Sequence, residues 1–113
     1  PVQCAAARLL ELRQPIQREL RARTRANLVS LETQLTPDCP FRLLDLEGGW
    51  YVTIEVPRIR SEEDWAMELL REDNVLTQPG YFYDFEREAY LILSLLTPED
   101  IFAEGVRRLF QRA

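Results

Sequence analysis

Apolar residues at Leu9, Leu12, Ile16, Leu20, Leu28, Leu31 and Leu35 recur at intervals of three, four or eight, the period of an amphipathic helix. Pro15 interrupts the run, because its ring nitrogen cannot donate to the carbonyl four residues back. The pattern therefore predicts a short helix to about Leu12, a bend, and a restart with Pro15 near the first helical position. The second segment runs to about Leu35, where Thr36, Pro37, Asp38 and Pro40 stop it.

The period then changes to two. Phe41, Leu43 and Leu44 begin one strand, Glu47-Gly48-Gly49 supplies a turn, and Trp50, Val52, Ile54 and Val56 alternate with Tyr51, Thr53 and Glu55. This predicts a hairpin with one face, Trp50 included, turned to a core. Pro57 ends its second strand by removing a ladder donor. Ser61-Glu62-Glu63-Asp64 fits a capping-box start, and acidic residues suit the positive end of a helix. Trp65 with Leu69, and Ala66 with Leu70, give that helix an inward stripe. Asn74 is a suitable exit because it tolerates left-handed geometry.

Val75 to Thr77 reads as a short strand and Gln78-Pro79-Gly80 as a turn. Tyr90 to Leu95 reads as a strand apolar on both faces, which predicts a central position. Thr97-Pro98-Glu99-Asp100 predicts a capped helix with Ile101, Phe102, Val106, Leu109 and Phe110 on its apolar side. The fold class expected is α/β, an α+β two-layer arrangement: a small, mainly antiparallel sheet packed against helices, with a long bent N-terminal helix. Residues 1–113 read as one domain, with 1–35 as connecting helices and 41–113 as sheet and helices.

Composition narrows the chemistry. The 113 residues carry 14 basic and 19 acidic side chains and no His. Every basic residue is Arg, so no lysine is present to form a Schiff base and no imidazole to exchange protons near neutrality. Six Arg and two Glu between Arg8 and Arg25 give a local charge of +4 within a chain of net charge −5. A phosphate-binding helix would bring aromatic interleaving and a basic total, so these arginines are assigned to a solvated helix face and nucleic acid is not an expected partner.

Cys4 and Cys39 form no CxxC, which leaves a zinc site unsupported and fits free thiols in the cytoplasm. No apolar run approaches the roughly 18 residues of a membrane span. Phosphate-binding loops, dinucleotide fingerprints and zinc-hydrolase motifs are missing. Asp64, Asp73 and Asp84 read as local caps, and no catalytic residue is assigned. Pro1 opens the chain in what reads as helix interior, which predicts a piece of a longer protein.

Gly48-Gly49-Trp50-Tyr51-Val52, Asp73-Asn74-Val75-Leu76-Thr77-Gln78-Pro79-Gly80 and Tyr90-Leu91-Ile92-Leu93-Ser94-Leu95 followed by Thr97-Pro98-Glu99 together resemble the C-terminal small domain of class I/II, fold-type I aminotransferases. The motifs are weak singly; their order and spacing across nearly the whole chain carry the resemblance. It implies a parent enzyme three to four times longer that uses pyridoxal phosphate, acts on an amine or amino acid, and forms a homodimer. The cofactor's lysine would lie in the N-terminal large domain, outside this chain, and the isolated chain is expected to be inactive.

The resemblance also singles out substrate-binding positions. It places Gly49 where the backbone comes close to substrate and Trp50 or Tyr51 where the site closes. It places Ile92 where the family carries an arginine that grips the substrate carboxylate, and an alkyl side chain offers no donor for that pairing. Either Arg87, five residues earlier, turns inward to supply the charge, or the parent uses an amine without an α-carboxylate. From the residues alone, Ile92 is a sheet-filling side chain, Arg87 a surface member of Glu86-Arg87-Glu88, and Tyr81, Phe82, Tyr83 and Phe85 an aromatic cover for a sheet edge or a substrate. The competing reading is a non-catalytic structural or partner-binding α/β module.

Overall fold

A computed structural model describes residues 2–87 and 89–112. Pro1, where the chain's opening was read, and Glu88, in the mixed charge run around Arg87, lie outside the described residues. Two consecutive helices, α1 (Val2–Glu11) and α2 (Arg13–Gln34), meet at a turn on Leu12. The predicted break is therefore present, with Pro15 in the first turn of α2, where no helical donor is lost. β1 (Arg42–Leu43) and β2 (Tyr51–Glu55) follow, then α3 (Glu62–Asp73), β3 (Gln78–Pro79), a 3₁₀ turn at Gly80–Tyr83, β4 (Tyr90–Ser94) and α4 (Glu99–Gln111).

The four strands form one antiparallel sheet in the order β1-β2-β4-β3. β4 is central, as its two apolar faces predicted. Alternation sends Val52, Ile54, Leu91 and Leu93 to the inner face, where they meet Leu31 of α2, Trp65 and Leu69 of α3, and Phe102, Val106 and Leu109 of α4. Phe41 stacks on Phe110 with ring centroids 4.9 Å apart and meets the edge of Trp65 at 5.9 Å. Trp65 also donates its indole N–H to the Pro57 carbonyl at 3.2 Å, so its polar atom is satisfied inside the core.

α3 begins at Ser61, whose hydroxyl oxygen accepts the Asp64 N–H at 3.1 Å. The Asp64 carboxylate accepts from the Ser61 hydroxyl at 2.7 Å rather than reaching back to its backbone. Asn74 ends the helix in the left-handed region, at φ 55°. Five local expectations are corrected. Trp50 is 47% exposed, because it precedes β2 and escapes the inward alternation. Leu70 and Ile101 are exposed as well, lying at the flanks of their helical stripes.

The pairing of the third strand falls on Gln78–Pro79 and not on Val75–Thr77; Pro79 is acceptable there because the strand is at the sheet edge. Thr97 does not cap α4: Pro98 occupies that position, and the Thr97 hydroxyl donates to the Ser94 carbonyl at 3.2 Å. Cys4 and Cys39 are free thiols. Among the described residues no helix is long and apolar enough to cross a membrane.

Candidate functional site

The sheet's outer face is set by register. Tyr51 lies opposite Ser94, and Ile92 lies between Thr53 on one side and Gln78 on the other. Ile92 is 4% exposed yet is not part of the inner-face cluster. Its side chain alternates to the face opposite that of Leu91 and Leu93, which pack in the helical core. Beyond Gln78 the pairing with β4 stops, and a groove of about 650 Å³ opens between the 74–78 segment, β4 and α4. Ile92, Tyr51 and Ser94 line it together with the exposed Leu76 and Ile101.

Of the positions singled out from sequence, the structure brings Ile92 and Tyr51 to this groove, and not Gly49, Trp50 or Arg87. Gly49 lies at φ 86°, a conformation that disfavours any side chain, and a Cβ built there meets nothing within 4 Å. The glycine thus serves the turn into β2 and leaves open space beside it. Trp50 follows; its carbonyl accepts the Leu95 N–H at 2.7 Å, and its ring lies 6.3 Å from that of Tyr51. Tyr51 in turn lies 6.3 Å from Tyr83 of the 3₁₀ turn, whose hydroxyl donates to the Gln78 side chain. Trp50, Tyr51 and Tyr83 therefore form an exposed aromatic row beside the outer face. Arg87 is exposed in the loop between that turn and β4 and does not line the groove.

The groove's one guanidinium is Arg108. It is committed elsewhere: Nε donates to Glu104 at 2.8 Å and a terminal nitrogen to the Asp73 carbonyl, also at 2.8 Å. Hydrogen bonds from Arg107 and then Arg108 lower the Glu104 carboxyl from 4.5 to about 2. Glu104 and Arg108 compensate each other, Asp100 adds an acidic side chain to the lining, and most of the remainder is apolar. Such a groove favours an apolar or weakly polar occupant over a carboxylate.

No family model matches the sequence, and no curated protein does. Solved structures do match. LysN, an α-aminoadipate aminotransferase from Thermus thermophilus solved with N-(5'-phosphopyridoxyl)-L-leucine, is 29% identical over 97% of this chain with a TM-score of 0.70. Tyrosine aminotransferase from Leishmania infantum superimposes over 96% with a TM-score of 0.79 at 18% identity. YbdL from Escherichia coli, with a methionine aminotransferase function, superimposes over 98% with a TM-score of 0.75 at 20% identity. The chain has the fold of the small C-terminal domain of fold-type I aminotransferases. It spans only 27–30% of the length of these three structures.

The residues of this chain do not fit pyridoxal phosphate by themselves. The chain has no lysine amine, and the groove's arginine is already paired. Among the described residues no three His, Cys, Asp or Glu side chains gather as metal ligands. Sequence reasoning missed the groove and the parts of Gln78 and Arg108 in shaping it, because a strand's cross-neighbours and a helix's docking partner follow from register and packing. It also read Glu62 as a helix-start acid only, and Glu62 is 2% exposed.

Proposed function

We propose that this chain is the substrate-closing small domain of a pyridoxal-phosphate-dependent aminotransferase, in which the full-length polypeptide moves an amino group between an amine or amino acid and an oxo acid. The end-to-end superposition on about a quarter of several aminotransferases carries the proposal. The cofactor and its lysine belong to an N-terminal large domain, and the working enzyme is a homodimer. This chain's own contribution is a wall: Ile92 and Tyr51 at the groove, with Trp50 and Tyr83 along its edge, exclude water and orient the substrate's apolar part. Gly49 keeps the approach to that wall open.

Ile92 cannot grip a carboxylate, and Arg87 lies outside the groove. The reading is therefore of a substrate without an α-carboxylate at this point. The test is kcat/KM for matched amine and amino-acid pairs in the full-length polypeptide. Ile92→Arg is expected to shift the preference toward the amino acid by at least tenfold, about 1.4 kcal/mol, by restoring a charge-assisted pair. Arg87→Ala is expected to leave the preference unchanged. A selective rise in KM for amino acids on Arg87→Ala would instead make Arg87 the anchor. Absence of transamination with any pair would favour a non-catalytic module.

A further inference from the structure

Glu62 is the first residue of α3, and its side chain is turned away from solvent. One carboxylate oxygen accepts the Tyr81 N–H at 2.9 Å; the other accepts the Tyr90 N–H at 2.7 Å. These amides stand at the two ends of a loop that begins in the 3₁₀ turn and ends at β4. A single carboxylate thus holds both ends of the segment bearing Tyr81, Phe82 and Tyr83, whose rings are all exposed. Two further observations fix its position. A Cβ on Gly80 would come 2.8 Å from Glu62 Oε1 and 2.8 Å from the Tyr90 Cβ, so only glycine lets the loop approach this closely. Ala89 is held at φ 92°, a strained value for a residue with a Cβ. The strained peptide is restrained on both sides: Val56 N–H donates to the Ala89 carbonyl at 2.8 Å, and the next N–H is the one bound by Glu62.

Exposed aromatic side chains on a short turn would ordinarily let that turn drift. Here the turn is built against a buried acceptor that two donors share, and an unmet partner in that setting is costly. We infer that Glu62 is a positioning residue, whose buried carboxylate ties the 3₁₀ turn to the start of β4 so that Tyr83 stays in the aromatic row with Tyr51 and Trp50. The clamp acts on the loop, and the loop acts on whatever occupies the outer face. Its bearing on substrate rests on the small-domain function proposed above; the clamp itself does not.

The test uses Glu62→Gln. The amide keeps the size of the side chain but offers one acceptor oxygen, and its NH₂ group faces a second N–H donor. In the chain itself, hydrogen exchange at the Tyr81 or Tyr90 amide is expected to accelerate at least tenfold, while the β2–β4 amides of Val52, Ile54, Leu91 and Leu93 keep their protection. Gly80→Ala, which crowds the same oxygen, is expected to give the same pattern and serves if the first variant fails to fold. In the full-length polypeptide, Glu62→Gln is expected to raise KM for an aromatic amine severalfold with kcat within twofold. Exchange within twofold of wild type at both amides in both variants would overturn the clamp. So would equal loss of protection across β2 and β4, which would make Glu62 a residue of general stability. Altered loop exchange with unaltered KM in an active enzyme would overturn its role toward substrate; a polypeptide that does not transaminate at all overturns only the function on which that role rests.

Discussion

Asn27 is wholly buried on α2, a helix whose other residues are mostly exposed or half-buried. Its amide nitrogen donates to the Leu95 carbonyl at 2.9 Å and the Thr97 carbonyl at 2.7 Å. Both acceptors lie in the link between β4 and α4, so one side chain ties three elements. Asn27→Ala is expected to cost about 2–3 kcal/mol, since it opens a small space and leaves two buried carbonyls unpaired. Asn27→Asp should cost more, because it sets carboxylate oxygens against those carbonyls. Urea denaturation of both variants decides this: equal midpoints would show that the donors contribute little. In the sequence Asn27 is one polar residue among many on a helix rich in Arg, and nothing there distinguishes it.

Among elements, α4 depends on charge as well as on its apolar stripe. Glu104 bonds Arg107 through both oxygens, at 2.7 and 2.6 Å, and also accepts from Arg108, which reaches the last carbonyl of α3. Cations near a helix C-terminus complement its dipole, so the Arg108 contact joins α4 to α3 favourably. Arg112 adds ion pairs to Glu72 and Asp73 at the same helix end. The Glu104 carboxyl titrates lower in the folded chain, at about 2, than its ordinary 4.5. Its contribution to stability is therefore fully present above pH 4.5 and is lost as pH falls toward 2. The stability difference between wild type and Glu104→Gln is expected to shrink over that window; a difference that is flat from pH 6 to 2 would refute the linkage. The i, i+3 and i, i+4 spacing was readable in the chain, but the junction with α3 was not.

At the scale of the whole molecule, the shape is set by the N-terminal helices. The dimensions are 52 × 28 × 27 Å and the radius of gyration is 16.4 Å, against about 13 Å for a compact chain of this length. The excess comes from a helical stretch that runs past the sheet. α1 has no buried residue, and Leu9, Leu12, Ile16 and Leu20 are exposed. Removal of residues 1–12 is therefore expected to change the unfolding free energy by less than about 0.5 kcal/mol and to bring the radius of gyration down toward the compact value. Chemical denaturation and solution scattering check the two halves of this expectation. A large loss of stability would mean that α1 is packed in solution.

Periodicity by itself determined the helices, the β1–β2 hairpin, the central place of β4 and the burial of Trp65 and Leu69, because those features depend on which residues share a face. Proline chemistry likewise determined the breaks at Leu12 and Pro57, and asparagine's tolerance of left-handed geometry determined the one at Asn74. The ordered motifs also pointed to the small-domain fold that superposition then showed. Only the tertiary structure decided that Trp50 escapes the core, that β3 pairs through Gln78 and Pro79, and that Ile92 is buried on the face opposite that of Leu91 and Leu93. These depend on where a strand begins and on which neighbour lies beside it. The clamp at Glu62 depends on partners 19 and 28 residues away. A local pattern fixes the face on which a side chain lies, whereas its distant partner is set only when the elements pack.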